Sequence, residues 1–384
     1  MKLQSWKLRF WVPVCAVVAI SAGSLFVASP TRAGEVSPAE YKVLDPIRHG
    51  NLTVFPVVGP RSRDTSEFLT LDEGLKSGEV IVTEAGNVRG LIRRHGAPVA
   101  QHESAEVNRL VLVNNSKRPL LLLAGEIVAG GKQDRVIGKD RIVPGESDPV
   151  DLSVFCVEPG RWVGSSEKFG ASANMYGGSA GAIAGGTLMA QPSVRAKAMG
   201  DKNQSAVWAE VRKQKDAISS EVVEVTGAAS PPPALAGTTS YARVMENADV
   251  KRQVDEVAAP VEHDYQSLIR QLKDRNAVGV VVAMNGRVVW ADIFASTALL
   301  EKYWPKLVRS YASEAFITRA KGAEVSGKQA QRFLEDMEGR HETIENEPGV
   351  FRHTEVNGDG FKAFALTSLL PKTGFDVHVA KMAE

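Results

Sequence analysis

The chain has 384 residues, with 46 Lys and Arg against 45 Asp and Glu and a formal net charge of +1. This near-neutral balance gives no electrostatic reason to expect nucleic acid as a partner, because such partners select a basic face. The length suits one large domain or two ordinary ones.

The first 33 residues read as a secretory signal peptide. Lys2, Lys7 and Arg9 form a positive start, an apolar run follows from Phe10, and small residues at Thr31 and Ala33 suit cleavage after Ala33. The expected location is the periplasm or cell envelope, and a membrane becomes a partner only if the segment stays uncleaved. Cleavage removes Lys2, Lys7, Arg9 and Arg32 but no acid, so the rest stays near neutral. It also removes Cys15, which leaves Cys156 with no intramolecular partner. In an oxidising compartment the fold must then rest on its core.

After a leader over 34–50, residues 51–163 read as a β-rich unit. Short runs such as "NLTVFPVV", "VNRLVLVNN", "PLLLLAGEIV" and "PVDLSVFCVE" are separated by turn residues, which suggests a sandwich or a curled sheet. "TLDEGLKSG" reads as a short helix begun by Thr70 and stopped by Gly78. A segment over 164–240 follows. It holds a Gly/Ala/Ser stretch, read as a loop with paired glycines at Gly177-Gly178 and Gly185-Gly186, then a helix from about Gln204 and a Pro-rich loop.

Residues 241–384 read as an α/β unit that completes the domain. A charged helix leads to a hairpin turned by Asn285-Gly286. The next helix carries an apolar stripe of Leu300, Tyr303, Leu307, Val308 and Tyr311, with Pro305 inside it. Ser326 caps a further helix, and two strand-like runs flank an Asn-Gly-Asp-Gly turn. The fold class is α+β: an N-terminal β-rich, sandwich-like unit followed by a mixed helix–hairpin–helix unit. There is no internal repeat, heptad pattern or Walker loop, and the histidines lack metal-ligand spacing, so no metal site is expected.

Two stretches concentrate polar chemistry. In "GEIVAGGKQDR", Glu126 follows a greasy strand and suits an acid/base, Lys132 and Arg135 suit phosphates, and Gln133 and Asp134 suit sugar or base edges. Strict alternation puts Lys132 and Asp134 on one face and Gln133 and Arg135 on the other, unless the glycines break the register. The alternative is a solvated hairpin tip. In "VFCVEPGRW", Cys156 and Glu158 share a face and Arg161 follows the turn. Cys156 is either a nucleophile or pocket wall, or a small buried hydrophobe.

Taken together with "SAVWAEV" and the long stretch from "VGVVVAMNGRVVWADIF" to "SYASEA", these motifs resemble the ADP-ribosylglycohydrolase and Rhodanese-Phosphatase-superfamily-associated protein domain family, over about Asn51 to Lys381. The resemblance implies a predicted enzyme associated with ADP-ribose and nucleotide-type chemistry, without an assigned reaction. It matches Glu126, Gln133, Asp134, Arg135, Cys156 and Glu158 to polar motif positions.

Two functional readings result. The first is an exported hydrolase for a small phosphorylated or ribosylated ligand, with Glu126, Cys156 and Glu158 as catalytic groups and Lys132, Gln133, Asp134, Arg135 and Arg161 binding substrate. The second is a noncatalytic envelope module whose motif residues hold turns and strand ends. Nothing in the sequence names a cofactor or an oligomeric state.

Overall fold

Asn285 and Gly286 both take positive φ, 50° and 74°, and turn strand Ala277–Met284 back onto Arg287–Phe294. Two consecutive positive φ values are what a type I′ hairpin requires. The computed structural model that shows this describes residues 40–88, 91, 108–171, 186–271, 276–318 and 323–384. The expected signal peptide and the glycine pair at 177–178 lie outside the described residues.

The hairpin is the middle of a nine-stranded antiparallel sheet. On one side it is followed by Leu52–Val58, which pairs with Lys42–Val43 and Ile47–His49. On the other come Asp376–Ala383, Phe361–Ser368, Phe351–Gly358 and Arg340–Glu347 in turn. Three early strands therefore complete a sheet whose other six lie between Ala277 and Ala383, and the described residues form one compact unit. Every residue of Ala277–Met284 is buried because both its faces are covered. Val280, Val282 and Met284 join the main core with helix Thr297–Phe316, while Val278, Val281 and Ala283 join a smaller core with helix Gly327–Glu335.

The fold is α+β, and its N-terminal region is β-rich. Strands Phe169–Gly170, Glu126–Gly130, Arg135–Ile137, Val150–Cys156, Arg109–Asn114 and Val80–Glu84 lie side by side in that order. The two edges of this sheet approach at a single antiparallel bridge between Thr83 and Lys168, where the Thr83 hydroxyl also donates to Glu167 O at 2.8 Å. A three-stranded sheet of Leu69–Thr70, Leu120–Leu122 and Arg141–Val143 faces the larger one. Leu120, Leu122 and Val143 fill the shared core with Val80, Val82 and Val128, and Leu121 and Ile142 point into the main core. Burial on both faces explains the unbroken "LLLL" run.

The short helix Leu71–Ser77 begins with Thr70 in a capping box and stops at Gly78 with φ 73°. The stripe on Thr297–Phe316 is fully buried at Leu300, Tyr303, Leu307, Val308 and Tyr311. Strand Arg340–Glu347 was not expected from sequence. It is an exposed edge strand without apolar alternation, and its place comes from pairing with Phe351–Gly358.

Candidate functional site

The "AGE" turn places Glu126. Gly125 sits at φ 97°, and a Cβ there would come within 2.6 Å of Arg195 Cγ and 2.8 Å of Met189 Sδ. Only glycine fits both the dihedral and the space. Beyond it the Glu126 carboxylate is fully buried. Its Oε2 accepts from Leu123 N at 2.8 Å and its Oε1 accepts from Lys306 Nζ at 2.5 Å. Lys306 also donates to Asp72 Oδ2 at 2.7 Å and Thr187 Oγ1 at 3.2 Å, and its ammonium lies 4.8 Å from the Tyr303 ring centre. Thr187 in turn donates to Asp72 Oδ1 through its backbone N–H at 2.6 Å and its hydroxyl at 2.7 Å.

Charge is unevenly held in this cluster. Burial raises the Glu126 carboxyl above its ordinary value, with the nearby Asp72 adding to the effect and Lys306 opposing it. Burial also works against the charged forms of Asp72 and Lys306, but their mutual attraction outweighs it. Asp72 is held below the usual carboxylate range and Lys306 above the usual ammonium range. The result is a stable ion pair backed by a carboxyl that takes up a proton more readily than usual.

The second half of the motif is a lock. Arg161 grips Glu158 with two parallel bonds, Nε to Oε1 and Nη2 to Oε2, both 2.6 Å. Asp134 N donates to Glu158 Oε2 at 3.1 Å, and Gln133 Nε2 donates to Glu158 O at 3.0 Å. The Asp134 carboxylate accepts from Gly130 N at 3.0 Å and from Ser240 Oγ at 2.6 Å. Ser240 is itself the N-cap of helix Tyr241–Glu246. Gly131, at φ 51°, breaks the strand alternation, so Gln133, Asp134, Glu158 and Arg161 meet. Lys132 stays at the rim, with its ammonium 4.9 Å from the centre of the Trp162 ring and its N–H donating to Glu84 Oε1 at 2.8 Å.

Arg135 and Cys156 are register partners on adjacent strands, and Val128 lies opposite Arg135 on the far side. Both side chains are fully buried. Arg135 Nη1 donates to Gln133 O at 2.7 Å, while Nε and Nη2 have no hydrogen-bond partner among the described residues. Burial pushes the Cys156 thiol up, the opposite of what a nucleophile needs. Glu126 lies two strands across and two residues along from Cys156, roughly 12 Å at ordinary strand spacing. The structure therefore brings together Gln133, Asp134, Glu158 and Arg161, pairs Arg135 with Cys156, and gives Glu126 different partners.

A cavity of about 440 Å³ opens where strands Val80–Glu84 and Phe169–Gly170 part below the Thr83–Lys168 bridge. Val82 and Phe169 form its apolar wall, and Lys76, Lys168 and Asp72 are its charged groups. Asp72 is the member of the Glu126 cluster that lines it.

The model of the ARG and Rhodanese-Phosphatase-superfamily-associated Protein domain, ARPP-1, matches residues 40–381. The chain belongs to this family. No curated protein and no solved structure matches it. The ARPP-1 match takes in both polar motifs, the helix that carries Lys306 and most of the final strand. The family's name records an association with the ARG and rhodanese-phosphatase groups.

The ARPP-1 fold seats its "AGE" turn on a second buried network. The Asp140 carboxylate accepts from Ala124 N at 2.7 Å and lies 2.6 Å from His378 Nδ1, and His378 Nε2 lies 3.2 Å from Asp292 Oδ1. Arg195 grips Asp292 with two bonds of 2.9 Å, and the Tyr311 hydroxyl donates to the same carboxylate. Burial works against the His378 imidazolium, but the two carboxylates outweigh it and raise its pKa to about 9. Sequence reasoning missed this network and missed Asp72, Thr187 and Lys306. Lys306 had one signal, a cation three residues after Tyr303 on an apolar helix stripe. The others carry no local signal. Among the described residues, no group of His, Cys, Asp and Glu is arranged to hold a metal ion.

Proposed function

We propose that this ARPP-1 chain is an exported hydrolase that takes a small phosphorylated or ribosylated substrate into the cavity beside Asp72. The observation that carries the reading is that Asp72 both lines the cavity and shares Lys306 with the buried Glu126. Asp72, kept ionised by Lys306, orients a water for attack; the bond to the leaving oxygen breaks as the water's bond forms, and the leaving oxygen takes up the water's proton. Lys76 and Lys168 supply cations for a phosphate at the cavity. Glu126 does not reach the substrate. It is a positioning residue that fixes Lys306 from behind. Gln133, Asp134, Glu158 and Arg161 bond to one another outside the cavity lining, and Cys156 takes no part. The family's association with the ARG group supports a ribosylated ligand class, and the N-terminal segment supports export.

A thermal-shift screen with ADP-ribose, NAD, nucleotides and sugar phosphates tests this. A ligand that binds only the folded state adds about 2.7 kcal/mol at a hundredfold excess over Kd. One member of the panel is expected to stabilise the protein, and Asp72→Asn is expected to abolish that shift. A panel that is flat for the unsubstituted protein would overturn the reading. It would favour a noncatalytic envelope module instead, a reading supported by the mutual pairing of Asp134, Glu158, Arg161 and Ser240.

A further inference from the structure

A second cavity, of about 360 Å³, opens between strand Val150–Cys156, the Gly138–Lys139 turn and strand Phe351–Gly358. Its size falls within the range of small-molecule sites, which begins near about 300 Å³. It shares no lining residue with the cavity beside Asp72.

His353 lines it and is only 1% exposed, yet neither of its ring nitrogens has a hydrogen-bond partner among the described residues. Buried polar side chains are nearly always paired, so an imidazole orphaned at both nitrogens beside an open cavity calls for a ligand. Burial holds this imidazole below its ordinary value and hence neutral, with one N–H donor and one acceptor. Phe155, Met199 and Phe364 give the cavity an apolar wall. Lys139 and Lys202 also line it, and each meets a carboxylate, Glu345 and Glu355 respectively. An ammonium has three donors, so each keeps capacity for a second acid.

We propose that this cavity binds a small aromatic acid, with its ring against Phe155 and Phe364, a ring hydroxyl or heteroatom on His353, and its acid group toward Lys139 and Lys202. The proposal is independent of the hydrolase reading.

Isothermal titration of the purified protein with 4-hydroxybenzoate, benzoate and phenol separates the three contacts. 4-Hydroxybenzoate is expected to bind tightest, with benzoate and phenol each weaker by about tenfold, or roughly 1.4 kcal/mol. Replacing both Lys139→Gln and Lys202→Gln weakens 4-hydroxybenzoate by about the same factor and leaves phenol unchanged. His353→Leu abolishes the difference between 4-hydroxybenzoate and benzoate. Asp72→Asn leaves all three affinities unchanged. No saturable binding at about 1 mM would overturn the proposal. So would affinities indifferent to the lysine pair, or binding lost in Asp72→Asn, which would place the probe in the other cavity.

Discussion

At the scale of single residues, Lys306 joins the cavity carboxylate to the buried one. It is the one cation bonded to both Asp72 and Glu126 among the described residues. Removing one member of a buried ion pair leaves an uncompensated charge, which typically costs about 3–5 kcal/mol. Lys306→Met is therefore expected to lower unfolding free energy by about that amount in urea titrations. Glu126→Gln should cost less, because a neutral amide still accepts from Lys306 and Leu123. Equal losses would mean that the Glu126 charge, and not its acceptor oxygens alone, holds Lys306. Cys156 offers a second check. Its buried, raised thiol should react with a disulfide reagent only as fast as the protein opens, and rapid labelling of the native protein would contradict the packing around it. The sequence made Glu126, Gln133, Asp134, Glu158 and Arg161 visible as polar groups beside glycines. It could not show which bond to each other, because Asp134 meets Ser240, and Glu126 meets Lys306, from remote parts of the chain.

At the scale of elements, local rules were legible wherever the deciding contacts are local. Thr70 and Ser326 cap helices through bonds three residues away, and Asn285-Gly286 sets its own hairpin. Edge strand Arg340–Glu347 was not legible, because its residues are largely exposed and only the partner strand fixes them. The turn at Gly125 is the element that joins fold to site. Gly125→Ala must adopt a left-handed φ and push against Arg195, which together should cost at least about 1–2 kcal/mol. The expected sign of damage is a lower melting temperature together with weaker ligand response at the Asp72 cavity. A melting temperature equal to that of the unsubstituted protein would show that the turn is not tied to Arg195.

At the scale of the whole molecule, the network of Asp140, His378, Asp292, Arg195 and Tyr311 ties the final strand, the hairpin, two helices and the Ala124 turn together. His378 has a folded pKa of about 9, above its ordinary value, so folding binds its proton. The stabilisation is complete below about pH 6.5 and is lost as pH rises through about 9, on the order of 3 kcal/mol in all. Lys381, lowered by burial to about 8, changes stability in the opposite direction and is common to the variant. The difference in stability between the unsubstituted protein and His378→Gln should therefore shrink between pH 6.5 and 9. A constant difference across that window would mean that His378 stays neutral. No composition or spacing rule pointed to this network, because Asp140, Arg195, Asp292, Tyr311 and His378 lie far apart in the chain and meet only through tertiary packing.

The proposed site of hydrolysis is the cavity beside Asp72. The most direct test is a turnover assay over ADP-ribose, nucleotides and sugar phosphates, with the unsubstituted protein and Asp72→Asn compared at matched folded fraction. Hydrolysis of at least one substrate is expected, with a loss of about a hundredfold or more in Asp72→Asn. A substrate that is hydrolysed equally well by both proteins would contradict it.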